Sequence, residues 1–142
     1  MTVPMEYRRA SADFEAFLAE AAEAAGLATR NQSFTMVEGV LTAFRRRLTA
    51  AEGIAFVQVL PPMLRALFVT GWEPEDAPGA SWDREALIRE VQALREHHNF
   101  APRTAIADVA AVVRRHVDAE AFAHVLERLP AAARAFWSDG AS

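Results

Sequence analysis

The stretch TMVEGVLTAFRRRLTAAEGIAFVQVLPPMLRALF, residues 35–68, has a close counterpart further along the same chain. Moved by 69 positions, it lies without a gap on TAIADVAAVVRRHVDAEAFAHVLERLPAAARAFW, residues 104–137. Thr35 falls on Thr104, Val40 on Val109, Arg45-Arg46 on Arg114-Arg115 and Ala50 on Ala119. Leu60-Pro61 falls on Leu129-Pro130, and Arg65-Ala66 on Arg134-Ala135. That makes about nine identities in roughly 34 pairs, and most other pairs exchange one apolar residue for another. Self-similarity at a fixed spacing speaks to architecture before any local motif does. It predicts two similar halves, about 12–70 and 83–137, and it leaves the activity open. Leu18 and Leu87 obey the same offset, so the match reaches the first helix of each half. Like surfaces bury like surfaces, so halves of this kind are expected to pack around a pseudo-two-fold axis.

Working outward from the repeat, every apolar pattern has a helical period. Phe14, Phe17, Leu18, Ala21 and Ala25 form one stripe, predicting a first helix over about Ala12–Ala25 with Ser11 as N-cap and Gly26 as terminator. A second helix, from near Gln32 to Leu48, carries Phe34, Val37, Leu41 and Phe44 at helical spacing. Thr49-Ala50-Ala51-Glu52 has the capping-box pattern and opens a third through Val59. Pro61 starts a fourth through Thr70, since a missing N–H costs nothing in a first turn.

Residues 71–82 are rich in Gly and Pro and read as the linker between the halves. Asp83 then caps a fifth helix, with Trp82 stapled onto Leu87, and that helix frays at His97-His98-Asn99. Pro102 opens the sixth helix, Asp118 caps the seventh, and Pro130 opens the eighth, which ends near Trp137. No stretch alternates as a strand does. The predicted class is all-α, with eight helices as two four-helix halves in one compact domain over residues 1–142.

Composition narrows the chemistry. The chain has no cysteine, which removes disulfides, thiolate nucleophiles and cysteine zinc sites. All fifteen basic residues are arginine, so Schiff-base lysine chemistry and a P-loop lysine are excluded too. Met1–Gly71 balances seven arginines against seven acids, whereas Trp72–Ser142 has eight against twelve and so carries the whole net charge of −4. A weakly acidic protein has no long-range attraction for nucleic acid or an anionic membrane, and neither is an expected partner. No apolar run approaches the roughly 18–20 residues of a membrane span, and Met1–Arg9 does not resemble a signal peptide. A cytoplasmic location is expected.

The run Glu38-Gly39-Val40-Leu41-Thr42-Ala43-Phe44-Arg45-Arg46-Arg47-Leu48 is followed by Leu60-Pro61-Pro62-Met63-Leu64-Arg65-Ala66-Leu67-Phe68 and Gly71-Trp72-Glu73-Pro74. Together these resemble a bacterial family catalogued as domain of unknown function 2267, over roughly Ala12 to Trp137. Arg65-Ala66 departs from an Arg-Gly pair common in that family, and Gln58-Val59 from an Ala-Gln pair. The resemblance implies an all-helical duplicated fold; it brings no activity, and no catalytic residue is carried over.

Several constellations have residue types that could carry chemistry. Arg45-Arg46-Arg47 and Arg114-Arg115-His116 end their helices, where cations complement the dipole, and successive residues diverge by about 100° rather than facing one groove. Arg65 and Arg134 follow Leu-Pro at the same offset in each half. Each is expected to clamp a helix C-terminus or a carboxylate, with Glu38 and Asp108 as candidate partners, or to form an anion site. Trp72, beside Met63, could line a ligand cleft between the halves. Glu120, His124 and Glu127 share a helix face and have metal-ligand chemistry, but no second ligand set matches them in the first half; an exposed ion-pair ladder is the better reading. His116 and Asp118 belong to the same cluster, and His97-His98 reads as a solvated helix end.

No recognised phosphate loop, zinc-protease motif or catalytic triad is present, and no cofactor or resident metal is expected. The expected function is non-enzymatic: contacts with a protein partner, self-association included. The alternative is a small-molecule or anion site, or an enzyme, in a cleft between the halves, with Arg65, Arg134 and Trp72 as its polar groups.

Overall fold

The computed structural model describes residues 2–94 and 101–138, and among these the chain is entirely helical, with no strand. The helices are α1 (Met5–Arg8), α2 (Ala10–Ala25), α3 (Arg30–Arg45), α4 (Ala50–Val57), α5 (Pro62–Val69), α6 (Arg84–Ala93), α7 (Ala105–Arg115), α8 (Ala119–Glu127) and α9 (Ala131–Phe136). None of them is long and apolar enough to cross a membrane.

Local chemistry sets most of the boundaries. Gly26 takes φ 69 at the end of α2, a left-handed conformation that costs a glycine nothing. Thr49 accepts from the Glu52 N–H while Glu52 accepts from the Thr49 N–H, a complete capping box. Thr29 and Gln32 make a second box at the start of α3. The Asp83 and Asp118 carboxylates accept from the backbone N–H groups of Ala86 and Ala121.

Several boundaries depart from the sequence reading. Ser11 is not a cap, because α2 starts at Ala10 with Arg9 preceding it. α3 begins after Thr29's box rather than near Gln32, and it ends at Arg45 rather than Leu48. Pro102 lies ahead of α7, whose N-cap is Thr104. Pro61 and Pro130 stand at the N-cap positions of α5 and α9, one residue outside the helix. The expected fraying at His97-His98-Asn99 lies outside the described residues.

Packing mixes the two stretches of sequence. α2 and α6 each lie against both α3 and α7, α3 lies against α7, and α4 against α8. One core results. Phe44 of α3 is fully buried between Phe56, Phe68, Trp82, Phe136 and Trp137, with ring centroids 4.8–6.5 Å away. Trp137 stacks on Phe56 at 5.4 Å. Burial of large aromatics at such distances adds edge and stacking terms to the hydrophobic gain. α4 comes within reach of the linker because Gly53 has no side chain: a Cβ there would lie 2.1 Å from the Trp72 ring.

The hydrogen bonds also recur at the 69-residue offset. Arg45 donates to the Phe68 carbonyl at 2.8 Å, and Arg114 donates to the Trp137 carbonyl at 2.9 Å. Arg65 donates to the Leu60 carbonyl at 2.6 Å, and Arg134 to the Leu129 carbonyl at 3.0 Å. Arginine is thus used twice over to satisfy carbonyls that helix ends leave open.

Candidate functional site

Leu60 ends the turn after α4, and Pro61 and Pro62 start α5 without needing backbone donors. Arg65 then stands in the first turns of α5, its Nε anchored on the Leu60 carbonyl and its two terminal nitrogens free to point outward. They meet the segment before α2. Nη1 donates to the Tyr7 hydroxyl at 3.1 Å, and Nη2 donates to the Glu6 carboxylate at 3.3 and 3.4 Å. The guanidinium carbon also lies 5.8 Å from the Tyr7 ring centroid, within cation–π range. Burial lowers the Arg65 pKa, but the hydrogen bonds to Tyr7 and Glu6, with their charge interactions, outweigh it and leave the group above the ordinary arginine value.

Arg65 lies on one wall of an open groove of ≈ 320 Å³. Residues Gln58–Pro62, His116–Asp118, Ala121, Glu6 and Asp13 line the rest of it. His116 is itself positioned by α2, with Nε2 3.0 Å from a Glu20 oxygen and its ring edge-on to Phe17 at 5.4 Å. The groove therefore runs between the first stretch of the repeat and the second. Three carboxylates and one guanidinium line it, together with proline, leucine and valine. No serine, threonine, cysteine or lysine is among the lining residues. The arrangement suits holding a short peptide, with one fork-shaped donor, several acceptors and apolar walls. It is poorly suited to concentrating a small anion, because the acids outnumber the arginine.

The structure separates the residues that the sequence placed together. Arg65 lines the groove; Arg134 and Trp72 do not. Arg134 is exposed on α9 and donates to the Leu129 carbonyl. Trp72 packs over Gly53 and lies edge-on to Phe68 at 5.6 Å. Met63 is 39% exposed on α5, beside a crevice of only ≈ 10 Å³. The expected acidic partners are also corrected. Arg65 pairs with Glu6 rather than Glu38, whose charge acts on Arg45, and Asp108 accepts from the Thr104 hydroxyl at 2.7 Å. Burial lowers the Arg45 pKa, and Glu38 partly restores it.

Among the described residues, the arginine buried most deeply is one that read as a helix-end cation complementing the dipole. Arg47's side chain is 1% exposed and forks onto Glu90 at 2.8 Å, with further bonds to the Ser81 and Ala43 carbonyls. Glu120, His124 and Glu127 all lie exposed on α8. Among the described residues, no three His, Cys, Asp or Glu side chains group closely enough to hold a metal ion. His97-His98 lies outside the described residues.

Glu6 and Tyr7 were missed as site residues. The available signal was the chain's single tyrosine, next to an acid, in a polar stretch ahead of the first long helix.

Residues 14–136 match the family described as uncharacterized conserved protein (DUF2267). No curated protein matches the chain.

Proposed function

Because the chain belongs to this uncharacterized conserved family, which carries no assigned activity, we propose from the geometry that it is a non-enzymatic helical protein of the cytoplasm. It acts through protein contacts, and the Arg65 groove is its contact surface. One observation carries this reading. A segment of the chain itself already pairs with Arg65 at the edge of the groove, with Glu6 and Tyr7 bonded to its fork. An acidic residue next to an aromatic one is therefore the pattern of partner that fits. One terminal nitrogen of the fork faces the carboxylate and the other the phenol hydroxyl, which supplies geometric selectivity, and the ring adds cation–π contact.

The test uses a fluorescent synthetic peptide of residues 2–9 added to the full chain carrying Glu6→Arg, which loosens the resident segment. Saturable anisotropy, abolished by adding Arg65→Ala, is the expected result. An inert peptide, together with a melting shift of several degrees from a carboxylate or phosphate metabolite, would replace this reading with a small-molecule site.

A further inference from the structure

The segment seated on Arg65 is fastened weakly and is joined to the body by a single non-helical residue. α1 has no buried residue. Val3, Met5 and Tyr7 are 60%, 59% and 50% exposed, and they are apolar side chains of the same short segment. Its ion pair is long, with Arg65 and Glu6 29% and 50% exposed. Arg9 alone separates α1 from α2, at φ −106 and ψ 10. Those angles are a modest rotation from helical values near −63° and −42°.

If Arg9 becomes helical, α1 and α2 join into one rod. At 1.5 Å per residue, Arg9 and the four residues of α1 would then project about 7.5 Å beyond the present start of α2. Glu6 and Tyr7 leave their own Arg65 in that state, and every contact they lose is available on another copy. Exchange of an identical element between protomers is a low-cost route to a dimer, since each lost contact is remade in trans. Association would add burial of Val3, Met5 and Tyr7, which the closed form leaves in water, against Met63 two residues from Arg65 on α5.

We propose that two copies of this chain exchange the segment around Glu6 and Tyr7, each seating it in the Arg65 groove of the other. The proposal rests on the groove reading above and names a second copy as the occupant. The closed monomer and the exchanged dimer use the same ion pair, so reversing one charge damages both.

Two reversals in separate chains distinguish them. A chain with Glu6→Arg repels its own Arg65, and a chain with Arg65→Glu repels its own Glu6. Mixed, both segment–groove pairs are complementary across the two chains and neither is within one. Sedimentation of the wild type over rising concentration should show a dimer, weakened at least about tenfold in either single variant, because like charges face each other. An equimolar mixture should recover the wild-type dimer. Circular dichroism checks that each variant folds; should Arg65→Glu fail, the weakening by Glu6→Arg, on a helix that buries nothing, still has to appear.

A wild type that stays monomeric at about a hundred micromolar, or a mixture that sediments as its separate components, overturns the exchange. In that event the peptide titration decides the rest. If the peptide of residues 2–9 binds Glu6→Arg and not Arg65→Ala, the groove stands with another protein as occupant; if it binds neither, both readings fall.

Discussion

Arg45, Arg46 and Arg47 are consecutive, yet their side chains have different surroundings. Arg46 is 58% exposed and reaches Glu90 from outside, whereas Arg47 is 1% exposed, bonded to the same carboxylate and placed 6.0 Å from the Trp82 ring centroid. Removing Arg47 takes the donor from the part-buried Ser81 carbonyl and leaves Glu90 held by Arg46 alone, beside the space of a nearly fully buried side chain. Arg47→Ala is expected to cost about 2–4 kcal/mol in urea unfolding, while Arg46→Ala costs under about 1 kcal/mol. Arg65→Ala should fall between them, near about 1 kcal/mol, because its guanidinium is partly solvated and its partners are exposed. Equal losses at 46 and 47 would show that Arg47 is not held as described. This ordering was not legible in the sequence. A run of like charges reads as a solvated face, and Arg47's partners lie 43 and 34 residues away.

At the scale of the element, the readable features were those closed within one turn. Thr49 and Glu52, Asp83 and Ala86, and Asp118 and Ala121 are each three residues apart, so sequence alone contains the whole interaction. α1 was invisible because four residues cannot show a helical period. The contact of α4 with the linker was invisible for another reason: Gly53 and Trp72 are remote in sequence and meet only after folding. That contact reverses an ordinary expectation. Ala for Gly inside a helix normally gains up to about 1 kcal/mol. Here the new methyl would overlap the Trp72 ring, and Gly53→Ala should lose about 1–3 kcal/mol. In a Trp72→Ala background the same substitution should become neutral or stabilising. Thermal unfolding of the four chains gives the sign directly, and a loss that persists without Trp72 would place the obstruction elsewhere.

For the whole molecule, the repeat pointed to the class of fold and to Arg65, and the groove beside Arg65 does run between the two repeated stretches. The repeat could not supply the other contributors. Glu6 lies 59 residues from Arg65, outside the repeated region, and has no counterpart there. The packing of α2 on α7 and of α6 on α3 has a consequence for folding. Residues 12–70 expressed alone lose the surfaces that bury α2 and α3, and residues 83–137 lose those that bury α6 and α7. Each fragment is expected to lack a cooperative unfolding transition, and an equimolar mixture to regain one. A sharp transition in either fragment alone would show that a half can close its own core.

Trp137 is fully buried, its indole N–H has no hydrogen-bond partner among the described residues, and its ring lies on Phe56 and Phe44 from the other half. An excited indole packed among aromatic rings and shut from solvent has little to relax toward, so its emission is expected at the blue end of the tryptophan range. Trp72 and Trp82, only partly buried, emit further to the red. The protein thus contains its own optical gauge of whether the two halves are together: the blue component belongs to one residue and vanishes when water reaches it.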